Sequence, residues 1–150
     1  MEKNNYRKFS LMLVISVFIM YGVMFLNVDD ASHIYLSLTR FYMSLLMVSP
    51  MALLMLLIMG KMYPNKKLNL GIGISSVAIF VLSLICLRTQ TPISDIQYMK
   101  AMIPHHSSAI MTSKNAAIRD PEVKKLSEGI IESQEREINQ MKDILKRMDK

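Results

Sequence analysis

Apolar residues dominate the first 88 of the 150 positions of this chain, where they form three long runs at 9–28, 36–59 and 68–87. Each run is close to the ~20 residues that an α-helix needs to cross the hydrocarbon core of a bilayer. Arg40, near one end of the second run, is the one charged residue within them. A charge at mid-membrane costs about 2.5 to 3.5 kcal/mol, so this pattern predicts three transmembrane helices in a membrane domain over residues 1–88.

Cations in the short segments around these runs indicate how the helices are oriented. The segment before the first run and the one between the second and third runs hold Lys3, Arg7, Lys8, Lys61, Lys66 and Lys67. Short cytoplasmic segments carry an excess of Lys and Arg, so both are predicted to be cytoplasmic. The intervening loop, 27–35, holds Asp29, Asp30 and His33 without Lys or Arg. Three crossings then place the tail after Arg88 on the extracytoplasmic side.

The tail, residues 89–150, is polar, and its pattern predicts two helices joined by a tight turn. Ser94 followed by Gln97 is a capping-box pattern that begins the first helix. Asp120 followed by Pro121 supplies an N-cap and a proline at the first position of the second helix. Apolar residues beyond that point recur at three- and four-residue spacing, which is typical of an amphipathic helix. We therefore expect an extracytoplasmic helical hairpin.

Candidate chemistry lies on the first tail helix. Met99, Met102 and His106 are separated by steps of three and four residues and share one helix face, with His105 about 100° away. Pro104 removes an N–H and crowds the preceding turn, which predicts a kink or a new helix start. In a new first turn both histidines would stay neutral, because the helix dipole disfavours imidazolium. Neutral imidazole is the form that binds metals.

The turn determines which residues of the second helix face this cluster. In an antiparallel hairpin, residues equidistant from the turn lie side by side, which places Gln134 opposite His106 and Met141 opposite Met99. Glu137 shares the face of both partners. Thioether and imidazole donors without a thiolate favour Cu(I) over zinc, magnesium or calcium. The open alternative is that these methionines simply fill the core.

Composition and charge narrow the classes of protein. Methionine occurs 15 times and tryptophan not at all, so the chain is rich in thioethers. The net charge of +6 would suit nucleic acid, but the basic residues are scattered or flank the apolar runs, which a membrane explains better. The single Cys86 lies in an apolar run, which excludes a disulfide framework and a cysteine-based zinc site.

Three segments of the tail resemble the bacterial "domain of unknown function 305" family: MIPHHSSAI at 102–110, DPEV at 120–123 and QEREINQM at 134–141. The resemblance covers about 94–145, and a membrane-anchored subgroup is also similar to the apolar front, including His33. It implies a ferritin-type helical bundle that is associated with copper binding or tolerance. It further implies a bacterial inner membrane with a periplasmic tail.

The same resemblance implies a set of metal ligands. The metal-associated positions of the family correspond here to Met102, His105, His106 and Met141. Many soluble members have a further methionine six residues after the second histidine. This chain has threonine at that position and its methionine, Met111, one residue earlier and on another face.

Two weaker features could add to a copper site. Asp29 and His33 lie one helical turn apart in the outer loop, and His33 is either a supplementary ligand or a solvated histidine. Methionines also repeat every four residues along the second membrane run, at Met43, Met47, Met51, Met55 and Met59. A four-residue repeat drifts by about 40° per step, so lipid-facing or packing roles explain these methionines better than a copper ladder.

The sequence therefore predicts an all-α membrane protein whose hairpin, half of a ferritin-like four-helix bundle, binds copper for extracytoplasmic sequestration or handling. It is not expected to be an enzyme or to bind nucleic acid. Its partners would be the bilayer, copper and a second copy of the chain. The second copy is expected because a 62-residue hairpin buries too little apolar surface to be stable alone. Cu(I) is favoured over Cu(II). The alternative is a metal-free, membrane-tethered interaction or dimerisation module. The predicted metal ligands are Met99, Met102, His105, His106 and Met141, with Glu137, Gln134, Met111, His33 and Asp29 as supplementary or outer-shell candidates.

Overall fold

The computed structural model describes residues 2–148, which form an all-α structure. Short 3₁₀ helices at Ala31–His33 and Gly60–Met62 lie in the loops between the first three α-helices. Within the described range the α-helices are α1 (Glu2–Val23), α2 (Leu38–Ile58), α3 (Lys66–Thr89), α4 (Asp95–Asn115) and α5 (Pro121–Met148).

Helices α1 to α3 confirm the expectation of three helices that are long and apolar enough, by length and composition, to cross a membrane. Their outward surfaces are apolar, with Phe18 72% exposed and Leu57 78% exposed. Helices that are hydrophobic all round suit a lipid environment. The first helix ends at Val23, five residues before the end of the apolar run, and the chain turns at residues 24–27 although Leu26 is apolar.

The chain forms two compact units, which do not follow a single cut in the sequence. One unit comprises Met1–Val23 and Thr39–Pro92, and the other comprises Met24–Leu38 and Ile93–Lys150. The loop between α1 and α2 thus belongs to the same unit as the two tail helices. We refer to residues 24–38 as the outer loop.

The first unit has a small core at one end of its helices. Phe9 and Ala52 are buried beside Tyr63, whose ring meets that of Phe9 edge-on at 5.2 Å between centroids. The methionines of α2 do not form a single stripe, because Met55 packs against this core whereas Met43 is 43% exposed.

Helices α4 and α5 begin where the capping patterns indicated. The Ser94 hydroxyl accepts a hydrogen bond from the N–H of Gln97, and Asp120 Oδ1 accepts from two N–H groups in the first turn of α5. The segment between the helices spans residues 116–120, longer than the predicted tight turn. The Gln97 side chain does not complete a capping box: its Oε1 accepts from the N–H of Leu38 at 3.0 Å.

The core of the second unit lies between α4 and α5. Ser113 near the end of α4 contacts Ser127 near the start of α5, as expected for residues equidistant from Asp120. Farther from the connection the register shifts, and His106 contacts Glu137 rather than Gln134. The buried core residues are Met99, Ile103 and Ile110 on α4 with Ile138 and Leu145 on α5.

Helix α4 continues through Pro104, which is buried inside it. No new helix begins there, so the prediction that both histidines occupy a first turn is wrong. They lie mid-helix, where the dipole of a helix N-terminus does not act on them. Their roles must be sought in local contacts.

Candidate metal centre

His106 is the best-oriented candidate donor on α4, and it is 8% exposed. Its Nδ1 lies 3.0 Å from the carbonyl oxygen of Met102, one turn earlier in the same helix. A carbonyl oxygen can only accept, so Nδ1 carries a hydrogen and donates it. The backbone of α4 thereby sets both the ring orientation and the tautomer, an arrangement common among metal-ligating histidines. The lone pair available for a metal is on Nε2.

Glu137 contacts that second nitrogen. Its Oε2 lies 2.7 Å from His106 Nε2, and one hydrogen, on the imidazole or on the carboxyl, closes the contact. The Glu137 side chain is 46% exposed, whereas that of His106 is 10% exposed. Solvent can therefore accommodate the carboxylate if it leaves the ring. A metal ion at Nε2 would take the place of the shared hydrogen.

Thioethers line the same cleft as His106. A cleft of about 650 Å³ is lined by residues of α4 and α5. Its lining includes four of the five predicted metal ligands, Met99, Met102, His106 and Met141, together with Glu137, the predicted outer-shell partner. Met148 supplies a fourth thioether. The remaining lining residues are Asp95, Tyr98, Gln140, Ile144 and Arg147.

The donor set suits a soft ion better than a hard one. Among the described residues 2–148, no three His, Cys, Asp or Glu side chains come together in an arrangement that could hold a metal ion. Zinc, calcium and magnesium sites rely on such groups. One imidazole with several thioethers is instead the donor chemistry of Cu(I). The lining of the cleft therefore offers donors of the kind that soft ions prefer.

Three other sequence-predicted residues lie outside the cleft lining. His105 is exposed, and its ring meets that of His106 edge-on with 6.2 Å between centroids. Gln134 and Met111 are half-buried on α5 and α4. Gln134 was predicted to lie beside His106, but the residue that contacts His106 is Glu137, one turn farther along the same face of α5.

The outer loop contacts α4 at the residue next to His106. Ser107 is fully buried, and its hydroxyl oxygen accepts from the N–H of Asp29 at 2.8 Å and lies 2.9 Å from Nδ1 of His33. The Ser107 hydroxyl has one hydrogen and two lone pairs, so the tautomer of His33 decides which of the two groups donates in this second contact. Asp29 also forms an ion pair with Lys114 at 2.9 Å. Both residues are therefore engaged in attaching the loop rather than in lining the cleft.

The surroundings of the outer loop shift the pKa values of two groups that attach it, His33 and Lys114. Partial burial, and then the nearby charge of Lys142, lower the pKa of His33 below its ordinary value, against the opposing effect of Asp30 and Asp29. The pKa of Lys114 is raised, first of all by its hydrogen bond with Asp29. The loop is thus held by His33, whose charged form is disfavoured by burial, and by the cation of Lys114.

Sequence reasoning missed two features of this site. Met148 lies seven residues after Met141, so helical periodicity alone could have assigned it to the cleft. Ser107 carries no comparable signal, because its partners in the outer loop are 78 and 74 residues away in the chain.

Comparisons with known proteins agree with the tail resemblance. Residues 84–146 match the family described as Domain of unknown function (DUF305). The chain is also 40% identical over 139 residues to "Uncharacterized protein L153" of Acanthamoeba polyphaga mimivirus, an alignment that covers 90% of each protein. The chain therefore belongs to the DUF305 family. No solved structure matches it.

Proposed function

We propose that this chain is a membrane-anchored copper-binding protein that sequesters or hands on copper outside the cytoplasm. Its cargo would be Cu(I), bound by His106 Nε2 with the thioethers of Met99, Met102 and Met141. The observation that carries the proposal is the hydrogen bond from His106 Nδ1 to the Met102 carbonyl, which turns Nε2 towards Glu137 beside a methionine-lined cleft. Thioether and imidazole donors prefer Cu(I) to harder ions.

Binding is proposed rather than catalysis. Serine, threonine and cysteine are absent from the residues that line the cleft in the described part of the chain. The cleft carboxylates, Glu137 and Asp95, are accompanied by thioethers rather than by a nucleophile and its base. A site built from soft donors holds an ion well without activating water on it.

The wider arrangement belongs to the same proposal. Helices α4 and α5 would form a hairpin that is half of a ferritin-like bundle, completed by a second copy. The cation distribution favours a cytoplasmic N-terminus and an extracytoplasmic hairpin, in a bacterial inner membrane or its equivalent. Copper entering from outside would then meet the cleft first.

One observation favours the alternative of a metal-free interaction module. His106 and Glu137 satisfy each other at 2.7 Å, so the cleft needs no metal to neutralise or orient them. In that case the pair would stabilise the packing of α4 on α5 and nothing more.

Copper titration separates the two functions. The full-length protein in mild detergent is titrated with Cu(I) under reducing conditions against a competing chelator. The proposal expects one ion per chain in the wild type and a large loss in His106→Ala, with Met51→Ala on α2 as a matched control that binds normally. A wild type that takes no Cu(I) from the chelator leaves the metal-free module as the better function. A His106→Ala variant with full stoichiometry rules out His106 as the copper ligand.

A further inference from the structure

A second groove lies on α5, in the half of the helix away from the copper cleft. It measures about 530 Å³ and is lined by Glu122, Lys125, Leu126, Gly129, Ile130 and Ser133. The residues of α5 that face the core are different ones: Ser127, Ile138 and Leu145 are buried, and Ile131 packs against the core. The groove is therefore on a flank of α5 that the hairpin itself does not cover.

This flank exposes apolar side chains next to a vacancy. Leu126 is 64% exposed and Val123 is 49% exposed, so apolar surface is uncovered along this flank. Gly129 lies three residues after Leu126, and apart from its chain neighbours and its own helix backbone nothing lies within 4 Å of where a Cβ on it would be, so the surface above it is open. A protruding leucine is thus followed, about one turn later, by an open position on the same flank of the helix.

We propose that the groove binds the same groove of a second copy of this chain, with the two α5 helices antiparallel. A twofold axis near residues 127 and 128 would place Leu126 of each copy in the vacancy over Gly129 of the other. Val123 would then lie beside Ile130 of the second copy. In a twofold interface each such contact occurs twice, which makes one helix flank sufficient for both sides.

Charge complementarity selects the antiparallel arrangement over the parallel one. In such an antiparallel pair, the positions that flank the line of contact meet across it. The exposed Lys125 of one copy then lies beside the exposed Glu132 of the other, and symmetry repeats the pair. In a parallel pair, the flanking residue that meets Lys125 would be Ile130, so the cation would have no opposite charge there. Opposite charges at flanking positions commonly set the orientation of paired helices.

The inference rests on the two-hairpin assembly proposed above and is independent of the copper site, because the groove and the cleft share no lining residue. Dimerisation and copper stoichiometry can therefore be measured on the same samples. Dimers that bind no copper would count against the proposed cargo alone, and copper-binding monomers would count against the interface alone.

Charge reversal tests the interface without disturbing the core, because the substituted residues are exposed. In full-length protein in mild detergent, Lys125→Glu should weaken dimerisation about tenfold, since it replaces two attractive pairs with two repulsive ones. Glu132→Lys should do the same, and the double variant Lys125→Glu/Glu132→Lys should restore the wild-type dimer. Lys124→Glu and Glu128→Lys are matched controls on exposed positions outside the groove and should leave the dimer unchanged.

Disulfide trapping tests the orientation. In a Cys86→Ser background, Leu126→Cys mixed with Gly129→Cys should cross-link faster than either variant alone. A strictly monomeric wild type, a charge-swapped double variant that stays monomeric, or fastest trapping within Leu126→Cys alone would each overturn the antiparallel dimer.

Discussion

His106 Nε2 lies 2.7 Å from Oε2 of Glu137, while the opposite nitrogen of the same ring is held 3.0 Å from the carbonyl of Met102. The first contact is removable, because Glu137 is a half-exposed side chain on another helix. The second is part of the helix that carries His106. The His106 ring thus has one fixed partner and one exchangeable partner. A histidine that is to bind a metal through Nε2 requires this combination.

The two neighbouring histidines should differ in importance. His106→Ala removes the oriented donor and should lower the affinity for Cu(I) at least tenfold, a loss of the order seen when a ligand or its outer-shell partner is removed. His105→Ala should have a smaller effect, because His105 is exposed and outside the cleft lining. Equal losses in both variants, measured by chelator competition, would show that the exposed ring contributes as much as the buried one.

Replacing Glu137 distinguishes an exchangeable partner from a ligand. If the carboxylate leaves Nε2 when copper binds, Glu137→Gln should retain Cu(I) stoichiometry. Binding in the wild type should also weaken as the pH falls, because a proton competes with the metal for Nε2. Titrations of both proteins at several pH values test this. Loss of copper from Glu137→Gln would instead make Glu137 a ligand.

The thioethers call for volume-conserving substitutions. Met99 is 6% exposed within the core, so Met99→Ala would combine a lost ligand with a cavity that costs about 2 to 5 kcal/mol. Met99→Leu and Met141→Leu keep the packing, typically at less than about 1.5 kcal/mol. They should weaken Cu(I) binding more than Cu(II) binding, because sulfur prefers the softer ion. An unchanged preference between the two ions would argue for core filling.

Acidification should loosen the outer loop. The pKa of His33 is lowered by burial and by Lys142, so the unfolded loop binds more protons than the docked loop once the pH falls below the ordinary value of 6.5. The stability of the docked loop should therefore be complete above that pH and decrease as the pH falls towards the lowered pKa. Hydrogen exchange at the Asp29 N–H, which donates to Ser107, reports it. In His33→Asn the protection factor of this N–H, which is corrected for the intrinsic pH dependence of amide exchange, should no longer change with pH; an unchanged profile would assign the effect to another group.

Orientation can be tested by labelling in intact cells. In a Cys86→Ser background, an impermeant thiol reagent should reach a cysteine at Lys146, whose side chain is 80% exposed, and should not reach one at Lys66. The reverse pattern would place the cleft in the cytoplasm and would contradict the proposal that the protein handles copper outside it.

Local patterns predicted the helices better than they predicted the register. The apolar runs, Ser94 and Asp120 act through residues within a few positions, so their elements follow from the sequence. The partner of His106 depends on how α4 and α5 pack beyond the Ser113–Ser127 contact, where the register shifts and Glu137 takes the place of Gln134. The methionines were predicted to lie together, and they line one cleft despite this shift, because residues one turn apart on a helix lie on the same face.

The role of the outer loop lay beyond local patterns altogether. The spacing of Asp29 and His33 suggested a supplementary ligand, whereas both residues contact Ser107. A buried hydroxyl that joins segments more than 70 residues apart has no periodicity to reveal it. Such contacts emerge only when the chain is folded.

The attachment at Ser107 also bears on the thermodynamics of ion capture. Two consecutive residues of α4 are immobilised from different sides: Ser107 by the outer loop, and the His106 ring by the Met102 carbonyl. Little rotational entropy then remains to be lost at the imidazole when an ion arrives. The methionines, with three rotatable bonds each, supply the adaptability instead. A rigid nitrogen combined with compliant sulfurs would accept ions of somewhat different radius, so Ag(I) should compete with Cu(I) for the cleft more effectively than any hard divalent cation.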